Sequence, residues 1–348
     1  MLLDRKLKIM NIQPLHGLSH THQPHATAPA ECLIVTAGST YLDIDAYACA
    51  VAMAELLRIK GHNAIAYSTA TTNYSVCPSL SKDGQLQRSL PAEALEKKIG
   101  YVIVDVSDPD YIKDSVPLDQ VIAVYDHHVG FESYWQERIG DSAHIEFIGA
   151  AATLIYREWK NAGLEEKIRP DTARLLIAAI LDNTLNLTSS NTTAEDREVF
   201  EALCKLAAVD EKWCAAYFSE VQTSVEADLK NALFNDLKLL RDHEILPERI
   251  AQLCVWDADR LWNALPDIRA YFGAAKSWMI NVIDIRHQCS YFVCDDLYHQ
   301  TKIEKVFDVR FDRGVAKSPN PYLRKQILKK CMEFSMTPQK HLPDQGSC

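Results

Sequence analysis

CLIVTAGSTYLDIDAYACAVAMAELLRIKG, residues 32–61, opens on a short β-branched run and passes into an alanine-rich apolar stretch ending at Gly61. The first piece has the length and branching of a strand, and the second the length and closing glycine of a helix. Between them, Asp43 and Asp45 stand one residue apart at the mouth of the strand. Two like charges held that close repel unless something positive sits between them. Turn chemistry offers an ordinary account, with Asp43 as a turn residue and Asp45 as the N-cap of the helix.

The same texture recurs downstream. NAIAYST (63–69), YVIVDVSD (101–108) and VIAVYDHH (121–128) are strand-length apolar runs without strict alternation, the pattern of strands buried on both faces of a parallel sheet. Helical stretches follow: GAAATLIYREWKNAG (149–163), RPDTARLLIAAILDN (169–183) and TTAEDREVFEALCKLA (192–207), the last opening with a capping-box pattern at Thr192 and Glu195. The expected fold is α/β, with a doubly wound, mostly parallel sheet. In such sheets ligands gather outside the carboxyl ends of the strands. The chemistry-bearing residues fall there: Asp43 and Asp45 after one strand, Asp105 and Asp108 after another, and Asp126, His127 and His128 after a third. Asp182 ends the apolar run LLIAAILD, where an unpaired carboxylate would be costly. Asp105 and Asp108 could each cap a following element. Adjacent histidines at a strand end are harder to explain that way, because imidazole suits divalent first-row metals and carboxylates bridge them. Taken together, the clusters point to a dinuclear metal site.

Composition agrees with two cores rather than one. The chain has 348 residues, 47% of them hydrophobic, enough for two domains. Against 47 acidic residues there are 37 basic ones, so a nucleic-acid-binding surface is not expected, and an anionic substrate must meet local positive charge. The ten cysteines form no CxxC pair and read as reduced thiols of a cytoplasmic protein. No apolar run approaches the length of a membrane span, so no membrane partner is expected. Residues 1–30 are expected to form a flexible arm. Its histidines, His16, His20, His22 and His25, could form a metal-binding tract or simply belong to a loosely ordered segment.

The DHH after an apolar strand, with an upstream DxD, VDVSD between them and ILDNTLNLTSSNTTAEDR downstream, resembles the DHH phosphoesterase superfamily over about residues 32–205. Within it, the downstream stretch is similar to the branch of family II manganese-dependent inorganic pyrophosphatases, exopolyphosphatases and prune-type proteins. LFNDLKLL (233–240), IAQLCVWD (250–257), SWMINVIDIRHQCSYFVCDD (277–296) and YLRKQIL (322–328) resemble the second domain of that branch. No GGGH-type segment is present, which weighs against the oligonucleotide-cleaving members. The resemblance implies a catalytic domain over 31–210 and a smaller α/β, substrate-clamping domain over 222–340 across a cleft, joined near 205–225.

It also implies the site. Asp43, Asp45, Asp105, His127 and Asp182 match the metal ligands, with Asp105 as the bridging carboxylate. His128 matches a phosphate-contacting histidine, and Asp126 would orient the neighbouring imidazoles. Lys238, Arg324 and Lys325 match a phosphate clamp, although LRKQILKK at helical spacing also reads as a solvated face. Ser39 stands where pyrophosphatases of this branch carry a metal-binding histidine, which tilts the expectation toward a polyphosphatase-like relative. The expected cofactors are two Mn2+ ions, with Mg2+ or Co2+ as substitutes. The expected activity is hydrolysis of polyphosphate or pyrophosphate by a metal-activated water. The alternatives are a nucleotide phosphodiesterase or phosphatase and a weakly catalytic prune-like interaction protein. The expected partner is a small anionic phosphate, and by resemblance alone the chain could form a homodimer.

Overall fold

The structure is a computed structural model that describes residues 30–38, 42–235, 237–241, 243–273 and 277–336. The arm with its four histidines, and Ser39, lie outside the described residues.

The first half is built on a five-stranded parallel sheet of order β2-β1-β3-β4-β5. Its strands are β1 (Cys32–Thr36), β2 (Ala64–Ala66), β3 (Ile99–Val104), β4 (Val121–Asp126) and β5 (Ala143–Ile145). The strand order reverses between β1 and β3, so the crevice of this doubly wound sheet opens where Asp43 and Asp105 leave it. One face carries α1 (Ile44–Ile59), α5 (Ala151–Asn161), α6 (Pro170–Asn183) and α7 (Ala194–Ala207). The other is covered by short helices, α2 (Ala92–Leu95), α3 (Pro109–Ile112) and α4 (Glu132–Ile139), around the fully buried Trp135. Helix α1 is apolar almost all round and buries nearly every side chain, and α6 buries the run Leu175–Leu181 entirely, as helices enclosed by others must. Alanines 46, 48, 50, 52 and 54 give α1 the narrow profile that close packing requires.

The second half is a six-stranded mixed sheet of order β10-β11-β9-β8-β7-β6. Strand β6 is Lys238–Leu239, β7 Arg249–Val255, β8 Trp278–Asp284, β9 Cys289–Val293, β10 Phe311–Asp312 and β11 Val315–Ser318. Only β7 and β8 pair in parallel. Helices α9 (Leu229–Asn235) and α10 (Leu265–Phe272) pack on one face, and α11 (Leu297–Phe307) and α12 (Arg324–Met336) on the other.

One sequence expectation, the position of the α7 capping box, is corrected here. The stretch read as a connection near 205–225 is largely a helix, α8 (Glu211–Ala227), whose Tyr217 and Phe218 pack into the first core while Val225 enters the second. Its Asp210 caps it by accepting from the Trp213 N–H at 3.1 Å. The capping box of α7 is formed one residue later than expected, by Thr193 and Asp196. Asp196 is drawn there because the same carboxylate accepts from the Gly149 N–H and the Thr153 hydroxyl, bonds that Glu195, held by Arg157, does not make.

Candidate metal centre

Asp43, not Asp45, is the N-cap of α1, its Oδ1 accepting from the Ala46 N–H at 3.0 Å. Asp45 lies inside the first turn and is fully buried. Its Oδ1 accepts from the Ala152 N–H (2.8 Å) and the Cys49 thiol (3.3 Å), its Oδ2 from the Ala151 N–H (2.8 Å) and the Asn183 amide (3.1 Å). The buried N–H groups that begin α5, which have no partner within the helix, are therefore satisfied by a carboxylate from α1. Just before α5, the close approach of Asp196 to Gly149 needs a bare backbone, because a Cβ there would come within 2.5 Å of Asp196 Oδ2 and 2.7 Å of Thr184 Cγ2.

Asp105 leaves β3 with a left-handed backbone (φ 57°), a conformation that asparagine and aspartate tolerate best among residues with a Cβ. Its N–H still bonds the Tyr125 carbonyl at 2.8 Å, so the turn begins without breaking the sheet. Its side chain is buried, and Oδ1 has no hydrogen-bond partner. Asp108, further along, caps α3 by accepting from the Asp110 N–H, the ordinary role considered for it.

The two histidines behave differently. His127 bonds the Ile148 carbonyl through Nδ1 at 3.2 Å, which assigns the proton to Nδ1 and leaves Nε2 a bare acceptor. That nitrogen lies 3.4 Å from Asp105 Oδ1 and 4.0 Å from Asp45 Oδ2. Burial, then the neighbouring His128, lowers the His127 pKa to about 4, so the ring is neutral, as a metal ligand must be. His128 is mostly exposed and is held by the fully buried Asp126, whose Oδ1 accepts from both the His128 N–H (3.0 Å) and Nδ1 (2.8 Å). Desolvation works against charge on His128, but Asp126 outweighs it, and the net pKa is raised.

The carboxylates press on one another. Desolvation, then the charge of Asp43, pushes Asp45 to about 7, and the same two causes push Asp182 to about 7. Asp105 is held well above the usual carboxylate range by burial and then by Asp45 and Asp43. Asp182, at the end of α6, accepts a long bond (3.4 Å) from the Tyr217 hydroxyl. The chain that follows is strained: Leu185, Asn186 and Leu187 are all left-handed, held by the Asn186 N–H on the Leu181 carbonyl (2.7 Å) and the Leu187 N–H on Thr184 Oγ1 (3.0 Å). Such strain collects beside functional groups.

These residues fit divalent cations. Asp105 Oδ1 and His127 Nε2 are two acceptors facing each other inside the protein, and only a proton or a cation reconciles them. The ligand atoms of Asp105, His127 and His128 lie within 4.8 Å of one another. Oxygen and imidazole donors without a thiolate suit manganese and its hard neighbours, and the Cys49 thiol, its pKa raised well above normal by burial, stays protonated on Asp45.

The site opens into a cavity of about 660 Å³ lined by Asp43, Asp105, Asp126, His127 and His128 and, from the second half, by Lys325. Lys325 is in the first turn of α12, and the Gln326 amide beside it bonds Ser190 Oγ at 2.6 Å across the cleft. Arg324 precedes it with its N–H on Gln252 Oε1, and neither it nor Lys238, exposed on the edge strand β6, is among the residues lining the cavity. Sequence reasoning missed Asn183, Tyr217 and Cys49. Asn183 had a faint signal as the residue after Asp182; the other two had none.

No family model matches the chain. Its sequence is similar to two proteins named "Probable manganese-dependent inorganic pyrophosphatase". The one from Lactobacillus acidophilus is 26% identical over 301 residues, 82% of this chain and 92% of its own. The one from Deinococcus radiodurans is 28% identical over 218 residues, 59% of this chain and 62% of its own. Among solved structures, a Methanococcus jannaschii protein assigned to the family II inorganic pyrophosphatases matches with a TM-score of 0.59 at 18% identity, over 86% of this chain and 98% of its own, a likeness of fold. No helix among the described residues is long and apolar enough to cross a membrane.

Proposed function

We propose that this chain, related in sequence and fold to the family II branch of the DHH phosphoesterases, hydrolyses phosphoanhydride bonds of inorganic pyrophosphate or polyphosphate. The observation that carries the reading is the pair of bare acceptors, Asp105 Oδ1 and His127 Nε2, 3.4 Å apart at the crevice of a doubly wound sheet.

Asp43, Asp45, Asp105, His127 and Asp182 would hold two divalent cations, manganese by preference. Bound there, such cations supply Lewis-acid polarisation of phosphate oxygens and make deprotonation of water feasible at neutral pH. Asp45 would exchange one of its four hydrogen bonds to join them, whereas Asp105 Oδ1 and His127 Nε2 have no hydrogen bond to give up. Asp126 orients His128 and favours its charged form, leaving Nε2 as a proton donor on the open side of the cavity. His128 would then donate to the phosphate oxygen on which negative charge builds as the bond breaks.

Lys325 would pair with a substrate phosphate. Approach of the second half would add Arg324 and Lys238 and exclude water from the reaction. The nine cysteines among the described residues are all free thiols, which suits a reducing compartment and a cytoplasmic reaction. The test is phosphate release from pyrophosphate, tripolyphosphate and long-chain polyphosphate with manganese, and its loss on chelation. A protein that binds manganese stoichiometrically yet releases phosphate from none of the three would end this reading.

A further inference from the structure

We infer that the mouth of the cleft is a second subsite, for the flat apolar part of an organic phosphoanhydride, so that a nucleoside oligophosphate is taken in preference to a bare inorganic chain. The inference rests on the phosphohydrolase reading above and names its substrate class. The cavity of about 660 Å³ falls within the size of sites for drug-sized organic ligands, roughly 300–1,000 Å³. The buried Asp105, Asp126 and His127 carry its inner end and His128 stands on its open side, while Tyr111, Val129, Phe131 and Phe147 line the same space. These four come from three separate connections, after β3, β4 and β5. Phe147 is 64% exposed, Val129 55% and Tyr111 39%, so large apolar groups stand in water around a site made for anions.

The charge balance points the same way. With the two halves as they stand, Lys325 is the one lysine or arginine lining the cavity among the described residues, and Arg324 and Lys238 would join it only on approach of the second half. An inorganic oligophosphate is charged along its whole length, calls for charged donors throughout, and has no apolar surface to cover a phenyl ring. A nucleobase has a π-face that stacks on any aromatic side chain. The terminal phosphate would lie at the carboxylate and histidine end, with the base at the mouth. Water oxygen then bonds to the terminal phosphorus, the bridging P–O bond breaks with its electron pair on the shortened nucleotide, and the proton lost by water ends on that oxygen or in solvent. The products are inorganic phosphate and a nucleotide one phosphate shorter.

The test pairs adenosine 5′-triphosphate with inorganic tripolyphosphate, which match in phosphate number. The expected result is a higher kcat/KM for the nucleotide, and a ratio between the two that falls roughly tenfold in Phe147→Ser and is restored in Phe147→Tyr. Saturation-transfer NMR supplies a readout that needs no turnover: adenine protons should receive saturation from the wild-type protein and lose it in Phe147→Ser. Adenine contact without hydrolysis of either compound would leave the subsite standing and refute the phosphohydrolase reading instead. A kcat/KM ratio unmoved by Phe147→Ser, or adenine protons that receive no saturation, overturns the inference. So does sedimentation showing that Phe147→Ser chiefly dissociates a dimer, which would make the rim a contact between copies.

Discussion

Asp257, Asp284 and His287 follow the parallel pair β7 and β8 much as Asp105, His127 and His128 follow β3 and β4, and in each trio the ligand atoms lie within 4.8 Å of one another. In the second trio both carboxylates are answered. Asp284 Oδ2 accepts from the Ala258 N–H and Oδ1 from the His287 N–H, and the imidazole Nδ1 lies 3.0–3.1 Å from both oxygens. Asp257 takes the Asp259 N–H on one oxygen and Arg286 on the other. In the first sheet Asp105 Oδ1 and Asp126 Oδ2 are buried with no partner, and His127 turns its bare nitrogen toward the former. Similar residue types at similar spacing thus make a loop clasp in one place and a candidate cation site in the other. What separates them is whether the protein supplies its own donors.

Substitution should break this comparison most strongly at Asp105. Asp105→Asn is expected to weaken manganese binding by more than the ~10–100-fold that loss of a supporting group costs, and to abolish phosphate release. Titration calorimetry would show it, and a wild-type isotherm would make the two clusters equivalent after all. Next comes Asp126→Ala, expected to reduce kcat by roughly 10–100-fold while manganese stoichiometry is unchanged, because it removes only the group that orients His128.

Proton binding sharpens the contrast. In the metal-free protein Asp45 and Asp182 titrate near 7, above the ordinary value of about 4, so each holds its proton more tightly folded than unfolded. Their contribution to stability is present at low pH and is lost as pH rises through about 7. Metal-free protein should therefore unfold at lower urea at about pH 8 than at about pH 6, with manganese narrowing the gap. A metal-free midpoint that climbs over this range contradicts the assignment.

In the second cluster, Asp284→Ala should cost about 1–3 kcal/mol of stability by stranding the Ala258 N–H, with manganese affinity unchanged. Arg286→Ala, removing a largely exposed ion pair, should shift stability by less than about 1 kcal/mol in the same urea assay.

Much of the first sheet could be read from local pattern. Strands β1 and β3 are buried on both faces and so are apolar, whereas the short, half-buried β5 carries no such signal, and the candidate ligands Asp105 and His127 sit just past strand ends because that is where the backbone leaves the sheet. Asp105 and His127 announced themselves this way, and Asp182 by ending the apolar run of helix α6. Assignments that depend on a distant partner did not. Whether Asp43 or Asp45 caps α1 is decided by the N–H groups of Ala151 and Ala152, more than a hundred residues away, which claim Asp45. Thr193 prevails over Thr192 as a cap because Gly149 and Thr153 claim Asp196. The left-handed turn at Leu185–Leu187 carries no glycine to betray it. Charge at helical spacing was equally ambiguous: of Lys238, Arg324 and Lys325, only the last lines the cavity.

Helix α8 has a practical consequence. Tyr217, whose hydroxyl reaches Asp182, stacks with Trp213 at 6.2 Å between ring centroids, and the adjacent Phe218 lies 5.3 Å from Trp256 in the second sheet. Two indoles thus flank the tether on a candidate ligand, Trp213 from α8 itself and Trp256 from the residue after β7. Their intrinsic fluorescence is a built-in optical probe, expected to register ion loading and any swing of one half against the other without a label being attached.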